Sequence, residues 1–373
     1  MSRRLAVHAL LAFFLSRLLF FGLVAAGAQI EFLRKAYANS VWETRIIFQW
    51  GRVRPEIERV SMVGDAWLYR DIAEHGYDRS SRDAFFPLFP LLARATGADF
   101  PLAGLLISNA ALLVALWLLG AVTMRSGGSA DDASRAMFYL AFFPTSYFLS
   151  LPVTEGLFLA LTLAATLLAL QGRWLGAGVA GGLATATRFA GILLLPLLLL
   201  LECGGRAAAL KAPLTRRTPK WWLLLVPCGL AAFMAHLYRV TGDALAFVHV
   251  QTQFGRTFSW RALVGQLHTF AQPWNLVALN AATALLLVLA ALHLLVKREW
   301  AFGLYTLGSA LLPLASGSFQ SMARYAAVAF PLFFWLAARG RTPLWDRVIF
   351  ATSIILFGWL TALLTLRVDL ALA

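Results

Sequence analysis

The chain has 373 residues, of which 60% are hydrophobic and only 13% charged, with a mean hydropathy of +0.72 and a formal net charge of +14. A soluble domain of average composition carries about twice that share of charge, so water is excluded as the main solvent. The basic residues are scattered between apolar runs rather than gathered on one polar face with interleaved aromatics, which argues against nucleic acid as a partner and for charges that set membrane topology.

Crossing about 30 Å of hydrocarbon takes roughly 20 residues of helix. By that measure there are about eleven candidate spans, at residues 5–28, 101–123, 136–151, 155–170, 175–187, 189–201, 221–240, 276–296, 300–315, 325–338 and 348–366. The runs are continuously apolar rather than alternating, so a closed barrel is excluded. The expected fold is an all-α polytopic membrane protein, one domain over residues 1–373. The first run lacks a small-residue cleavage site and reads as a retained anchor.

With Arg3 and Arg4 in the cytoplasm, Arg125, Arg135, Arg173, Arg206, Lys211, Arg216, Arg217, Lys220, Lys297, Arg298, Arg339, Arg341 and Arg347 fall on the same side, as the positive-inside bias requires. Two polar segments, 29–98 and 241–274, are then extracytoplasmic. Loops as long as the first translocate regardless of their arginines. Cys203 and Cys228 have neither CxxC nor histidine partner spacing, which supports neither a disulfide framework nor a zinc site. His8, His236 and His293 stand singly in apolar runs and read as packed helix residues.

Within the first loop, a helical pattern over residues 32–50, rich in Arg, Trp and Phe, is expected to lie along the membrane surface. A second short helix begins just after Asp65 and ends at Gly76, which makes Asp65 its N-cap and Gly76 its C′ residue. Asp65 has two readings. It is a cap worth about 1 kcal/mol, or a carboxylate fixed at the outer membrane surface that takes the proton of a hydroxyl acceptor. The segment Ala84-Phe85-Phe86-Pro87-Leu88-Phe89-Pro90 has no regular period, because two prolines three residues apart interrupt it, and it reads as a membrane re-entry anchor.

Further along, Glu155 follows Thr154 where two spans meet. It is an acid at a helix start behind a threonine cap, or a functional group, since an ionisable side chain at such an apolar junction is costly unless paired. Arg188 and Arg324 sit on the outer side with few acids near them in sequence. They either snorkel to lipid headgroups or hold phosphate, which guanidinium binds bidentately. Arg256 belongs to a loop expected to be solvated.

Taken in order, several segments resemble the PIG-V family of mannosyltransferases. They are Asp65 to Tyr77 with its Ile72-Ala73-Glu74-His75-Gly76-Tyr77 core, the Phe85-Phe86-Pro87 segment, Phe142-Phe143-Pro144-Thr145-Ser146 leading to Thr154-Glu155-Gly156, Thr187-Arg188-Phe189, and Ser321-Met322-Ala323-Arg324-Tyr325. The family commonly has Trp before the aspartate, where this chain has Gly64.

The resemblance implies a GT-C-like membrane glycosyltransferase with a long first extracytoplasmic loop. Its donor would be a polyprenyl-phosphate mannose and its acceptor an unidentified hydroxyl. Asp65 would be the base, Arg324 and Arg188 the phosphate partners, and Glu155, Tyr69, Tyr77 and Arg256 supporting residues. Displacement at a β-linked donor would invert the centre to an α-mannoside, and the scheme requires no metal. It also implies a multi-pass protein of the bacterial inner membrane with its site facing away from the cytoplasm. Two other readings stay open from the residues alone: a transporter or flippase of a lipid-linked substrate, suggested by intramembrane Arg188 and the spans broken near Gly181, Gly182 and Pro196, and a non-catalytic membrane scaffold.

Overall fold

A computed structural model describes residues 2–38, 53–78, 81–204, 221–256, 259–266 and 276–365. Most of the surface helix expected over 32–50, and the basic cluster from Arg206 to Lys220, lie outside the described residues. Among the described residues all regular structure is helical, with no strand.

The first helix, α1 (Ser2–Ala38), has 37 residues, about 55 Å at 1.5 Å per residue. It passes the expected end of the first span and takes in the first ten residues assigned to the loop. The reason is local: the residues after Gly27 are mostly good helix formers, with no proline to stop them. Three short helices follow, α2 (Val53–Ser61), α3 (Ala66–His75) and α4 (Leu88–Ala95). The central bundle begins with α5 (Phe100–Arg125), α6 (Ala130–Ala141), α7 (Glu155–Leu170), α8 (Trp174–Thr185) and α9 (Leu194–Glu202). Then come α10 (Cys228–Thr241), the short α11 (Ala246–His249) and α12 (Trp260–Gly265), α13 (Val277–Val296), α14 (Trp300–Leu314), α15 (Met322–Ala326), α16 (Pro331–Arg339) and α17 (Pro343–Thr365).

Five helical segments among the described residues are long and apolar enough to cross a membrane: Arg3–Gly27, Phe100–Arg125, Trp221–Thr241, Val277–Val296 and Pro343–Thr365. Glu155–Leu170, Phe189–Glu202 and Trp300–Leu314 are apolar but shorter. Other expected spans are interrupted. The run over 136–151 breaks after α6 at Phe142-Phe143-Pro144, and the run over 325–338 breaks before Pro331, as a ring without an N–H requires. The outer surface carries exposed Phe14, Leu18, Leu106, Val296 and Ile355, side chains suited to lipid rather than water.

Close backbone contacts set the bundle. A Cβ at Gly156 would stand 2.9 Å from the carbonyls of both Ser108 and Leu149, and one at Gly229 would stand 1.9 Å from the Gly182 carbonyl. Only glycine permits these approaches of α7 to α5 and of α10 to α8. A buried cation ties α1 to the break after α6. Arg17 donates to the carbonyls of Ser146 and Ala141, each at 3.1 Å, and to the hydroxyls of Ser150 at 2.5 Å and Ser146 at 3.1 Å.

One end of the bundle collects charge. Arg4 meets Asp131 at 2.8 Å, Arg125 reaches the Leu170 carbonyl at 3.4 Å, and Arg341 grips Asp132 through two bonds of 3.0 and 2.7 Å. Leu170 closes α7 and Glu155 opens it, with 16 residues in the helix. The two ends are therefore about 24 Å apart along its axis. The candidate site lies at the Glu155 end.

Candidate functional site

Asp65 opens α3 but does not cap it with its side chain. Its backbone already has helical angles, φ −60° and ψ −20°, rather than the extended geometry of a capping residue, and the carboxylate makes no cap bond. Gly64 before it has φ +54°, a left-handed turn that glycine takes without strain. The C-terminal expectation holds: Gly76 has φ 79° and its N–H closes on the Ile72 carbonyl at 3.0 Å.

The Asp65 carboxylate instead meets Arg324, Oδ2 to Nη1 at 2.6 Å. Arg324 sits on the one-turn α15, which two buried polar groups pin in place. The Asn280 side chain accepts from the Ala323 N–H at 2.9 Å, and the Thr145 hydroxyl donates to the Ala323 carbonyl at 2.7 Å. Ser321, just before α15, has φ +62°, uncommon for a residue with a Cβ. The Arg324 guanidinium also lies 4.6 Å from the Phe148 ring centroid.

Glu155 is fully buried and joins the two arginines. Its Oε1 accepts from Arg324 Nε at 2.5 Å and from Arg188 Nη1, while Oε2 has no hydrogen-bond partner among the described residues. Thr154 does not cap α7. Its hydroxyl oxygen accepts from Arg188 at 3.0 Å and shares a 3.3 Å hydrogen bond with the Tyr69 hydroxyl. The arginines therefore do not snorkel, and they are not without carboxylates: distant chain segments supply the acids that their own neighbourhoods lack. One chain of contacts runs from Asp65 through Arg324, Glu155 and Arg188 to Thr154 and Tyr69, so each buried charge has an opposite charge beside it.

Beside this chain opens a cavity of 380 Å³, with Asp65, Tyr69, Arg188, Arg256 and Tyr325 among its lining residues. Arg324 and Glu155 stand behind the wall. The Phe85 segment packs inward rather than out to lipid. Phe86 and Phe89 are buried, Phe85 meets Tyr69 edge-on at 5.2 Å and Phe254 at 5.9 Å, and the Leu88 N–H bonds the Ala186 carbonyl at 3.1 Å. This couples the segment to the loop that carries Arg188. Tyr77 supports it by donating to the Phe85 carbonyl at 2.7 Å. Burial pushes the Tyr69 and Tyr77 phenols well above their ordinary value, so both remain protonated near neutral pH.

Arg256 is half-buried rather than solvated. It donates to the Gln251 side chain and, at 3.3 Å, to the Tyr325 hydroxyl. The Arg188 guanidinium stands 5.5 Å from the ring centroid of the same tyrosine. Among the described residues the grouping of metal-type side chains is Asp71, Glu74 and His75, exposed on α3. Glu74 there is already bonded to Arg70 at 2.7 Å. Tyr325, Gln251 and Phe254 were not singled out from sequence. Tyr325 alone left a signal, as the residue next to Arg324.

No family model matches the chain. Over 154 residues it is 36% identical to GPI alpha-1,6-mannosyltransferase 2 of Cricetulus griseus, a match covering 38% of this chain and 31% of that protein. The Mus musculus protein of the same name is 34% identical over 159 residues, covering 39% and 32%. The match thus spans about a third of the length of these curated relatives. Among solved structures, an Archaeoglobus fulgidus oligosaccharyltransferase is similar with TM-score 0.46 and 13% identity over 82% of this chain and 52% of that one. An oligosaccharyltransferase from the same archaeon, in complex with an inhibitory peptide and a dolichol-phosphate, gives TM-score 0.44 and 12% identity, over 82% and 52%.

Proposed function

We propose that the chain is a membrane glycosyltransferase that moves a mannosyl, or other hexosyl, residue from a polyprenyl-phosphate donor to a hydroxyl acceptor. The site faces away from the cytoplasm, in a bacterial inner membrane. The observation that carries the reading is Asp65, a carboxylate on the wall of the 380 Å³ cavity, held by Arg324 at 2.6 Å from behind. Partial identity to proteins named GPI alpha-1,6-mannosyltransferase 2 supports the sugar and the reaction class. Glu155 stands about 24 Å along α7 from the end of the bundle where Arg125 closes α5 and bonds the Leu170 carbonyl, which supports the side of the membrane.

The chemistry follows from the groups at hand. Asp65 takes the proton of the acceptor hydroxyl as the acceptor oxygen bonds the anomeric carbon. The bond from that carbon to the phosphate oxygen breaks with its electron pair left on the phosphate, and cations already fixed in place stabilise the departing lipid phosphate without reorganisation. A single displacement inverts the anomeric centre. Tyr69 and Tyr77 brace the wall, Tyr69 through Thr154 and Tyr77 through the Phe85 carbonyl.

The test is reconstitution of the purified chain in vesicles with radiolabelled polyprenyl phosphate mannose and a crude acceptor extract. Label is expected in a product sensitive to α-mannosidase. A β-linked product would contradict inversion of a β-linked donor, and no transfer to any acceptor would reject the enzyme in favour of transport or scaffolding.

A further inference from the structure

The transferase reading leaves open which cation receives the phosphate, and the charges around the cavity select one. Asp65, Glu155, Arg188 and Arg324 form a continuous ion-paired set in which two carboxylates meet two guanidinium groups. That set is neutral as a whole. Arg324 is also only 9% exposed, and its Nη1 and Nε are already taken by Asp65 and Glu155. Arg256 differs on both counts. It lines the cavity, and among the described residues its partners are a neutral amide and a phenol rather than a carboxylate.

We infer that Arg256, together with Arg188, which contacts the same Tyr325, holds the donor phosphate, and that Arg324 is the positioning residue of Asp65 instead of a phosphate ligand. This rests on the transferase reading. Tyr325 touches both, its ring centroid 5.5 Å from the Arg188 guanidinium and its hydroxyl 3.3 Å from Arg256. A lipid phosphodiester carries one negative charge, which the unneutralised Arg256 matches. Guanidinium groups suit it because each presents several N–H donors in one plane.

The arrangement also couples the two halves of the reaction. When Asp65 accepts the acceptor proton, its negative charge leaves the ion-paired set, and Glu155 alone cannot neutralise both Arg188 and Arg324. The set becomes positive by one charge. In the same step the phosphate gains one negative charge as the bond to the sugar breaks. The loss of negative charge is felt in the cavity itself, because Asp65 lines it beside Arg188. Electrostatic stabilisation of the leaving group therefore grows as the transition state forms, which is the condition for it to accelerate the reaction.

The experiment is direct binding of undecaprenyl phosphate, without a sugar, to the full chain in nanodiscs of neutral lipid, with undecaprenol as the uncharged control. For Arg256→Gln the dissociation constant for the phosphate is expected to rise about 10- to 100-fold, the size of one lost charge-assisted bond in a partly buried site, with undecaprenol binding unchanged. Arg256→Lys keeps the charge and should recover most of the affinity, which separates loss of a cation from loss of folding. Arg324→Lys should leave the phosphate dissociation constant within about twofold while lowering the kcat of transfer, since its part is to aim Asp65. Equal phosphate affinity in wild type and Arg256→Gln would overturn the inference and leave the transferase reading standing. Failure of the wild type to prefer undecaprenyl phosphate over undecaprenol would overturn both.

Discussion

Glu155 and Arg324, far apart in the sequence, meet at 2.5 Å through Oε1 and Nε, and the same Glu155 oxygen accepts from Arg188. The contact explains how a fully buried acid is tolerated at the start of α7: two guanidinium groups replace the water it has lost. It also makes Glu155 the hinge between the cation that aims Asp65 and the cation that faces the cavity.

Removing that charge leaves buried Arg324 and half-buried Arg188 with a single acid, Asp65, between them. Glu155→Gln is expected to destabilise the chain by about 3–5 kcal/mol, the typical cost of breaking a buried pair from one side. Thermal unfolding in detergent measures it. A melting temperature unchanged within a degree would mean that the arginines find other partners.

Arg17 poses a related problem in the middle of α1, where its partners are carbonyl and hydroxyl oxygens rather than an acid. Arg17→Met fills a similar volume but removes the donor to the Ser146 carbonyl and leaves the Ala141 carbonyl to the Ser146 hydroxyl where α6 ends. The expected loss is about 2–4 kcal/mol, together with weaker transfer, because the segment after α6 carries Thr145, which pins α15. A variant as stable and as active as wild type would show that α1 does not hold that segment.

At the far end of the bundle, burial works against the Asp132 carboxylate, yet the Arg341 hydrogen bonds outweigh it and hold the group from 3.8 down to about 2. An acid held below its unfolded value contributes stability that is complete above the unfolded value and lost as pH falls through the folded one. Wild type should therefore exceed Arg341→Gln by about 1–2 kcal/mol near pH 6, allowing for the exposure of Arg341. The difference should shrink as pH falls from about 4 towards 2. Melting temperatures of the two proteins across that range test this, and a gap independent of pH would contradict it.

Much of the helical layout was legible in the sequence, because lipid leaves the backbone few options. The expected run over 155–170 coincides with α7, and those over 276–296 and 300–315 lie within a residue of α13 and α14. Breaks inside apolar runs were harder to see. The run over 325–338 reads as one span, but Pro331 divides it into α15 and α16, and that division lets Arg324 turn inward.

The site was legible as a set of residue types rather than as contacts. Asp65, Glu155, Arg188 and Arg324 stood out because charge is scarce in such a chain, whereas the pairing among them depends on tertiary approach that no local pattern encodes. Arg188 and Arg324 looked bereft of acids for that reason. The loop of Arg256 reads as solvated, which leaves that residue only a supporting candidate, yet it lines the cavity and bonds Tyr325. Asp65 was expected to cap α3, but its helical backbone angles turn the carboxylate to Arg324.

The most direct test of the central claim compares wild type with Asp65→Asn, reconstituted at equal amounts with radiolabelled polyprenyl phosphate mannose and a crude acceptor extract. The substitution keeps the size of the side chain, and the site is only partly exposed at that point, 32% for the Asp65 side chain. Wild type is expected to transfer label, and Asp65→Asn to be slower by about 10²- to 10⁴-fold, the usual contribution of a positioned base, with donor binding retained. Transfer by Asp65→Asn at the wild-type rate would contradict the assignment of Asp65 as the group that takes the acceptor proton.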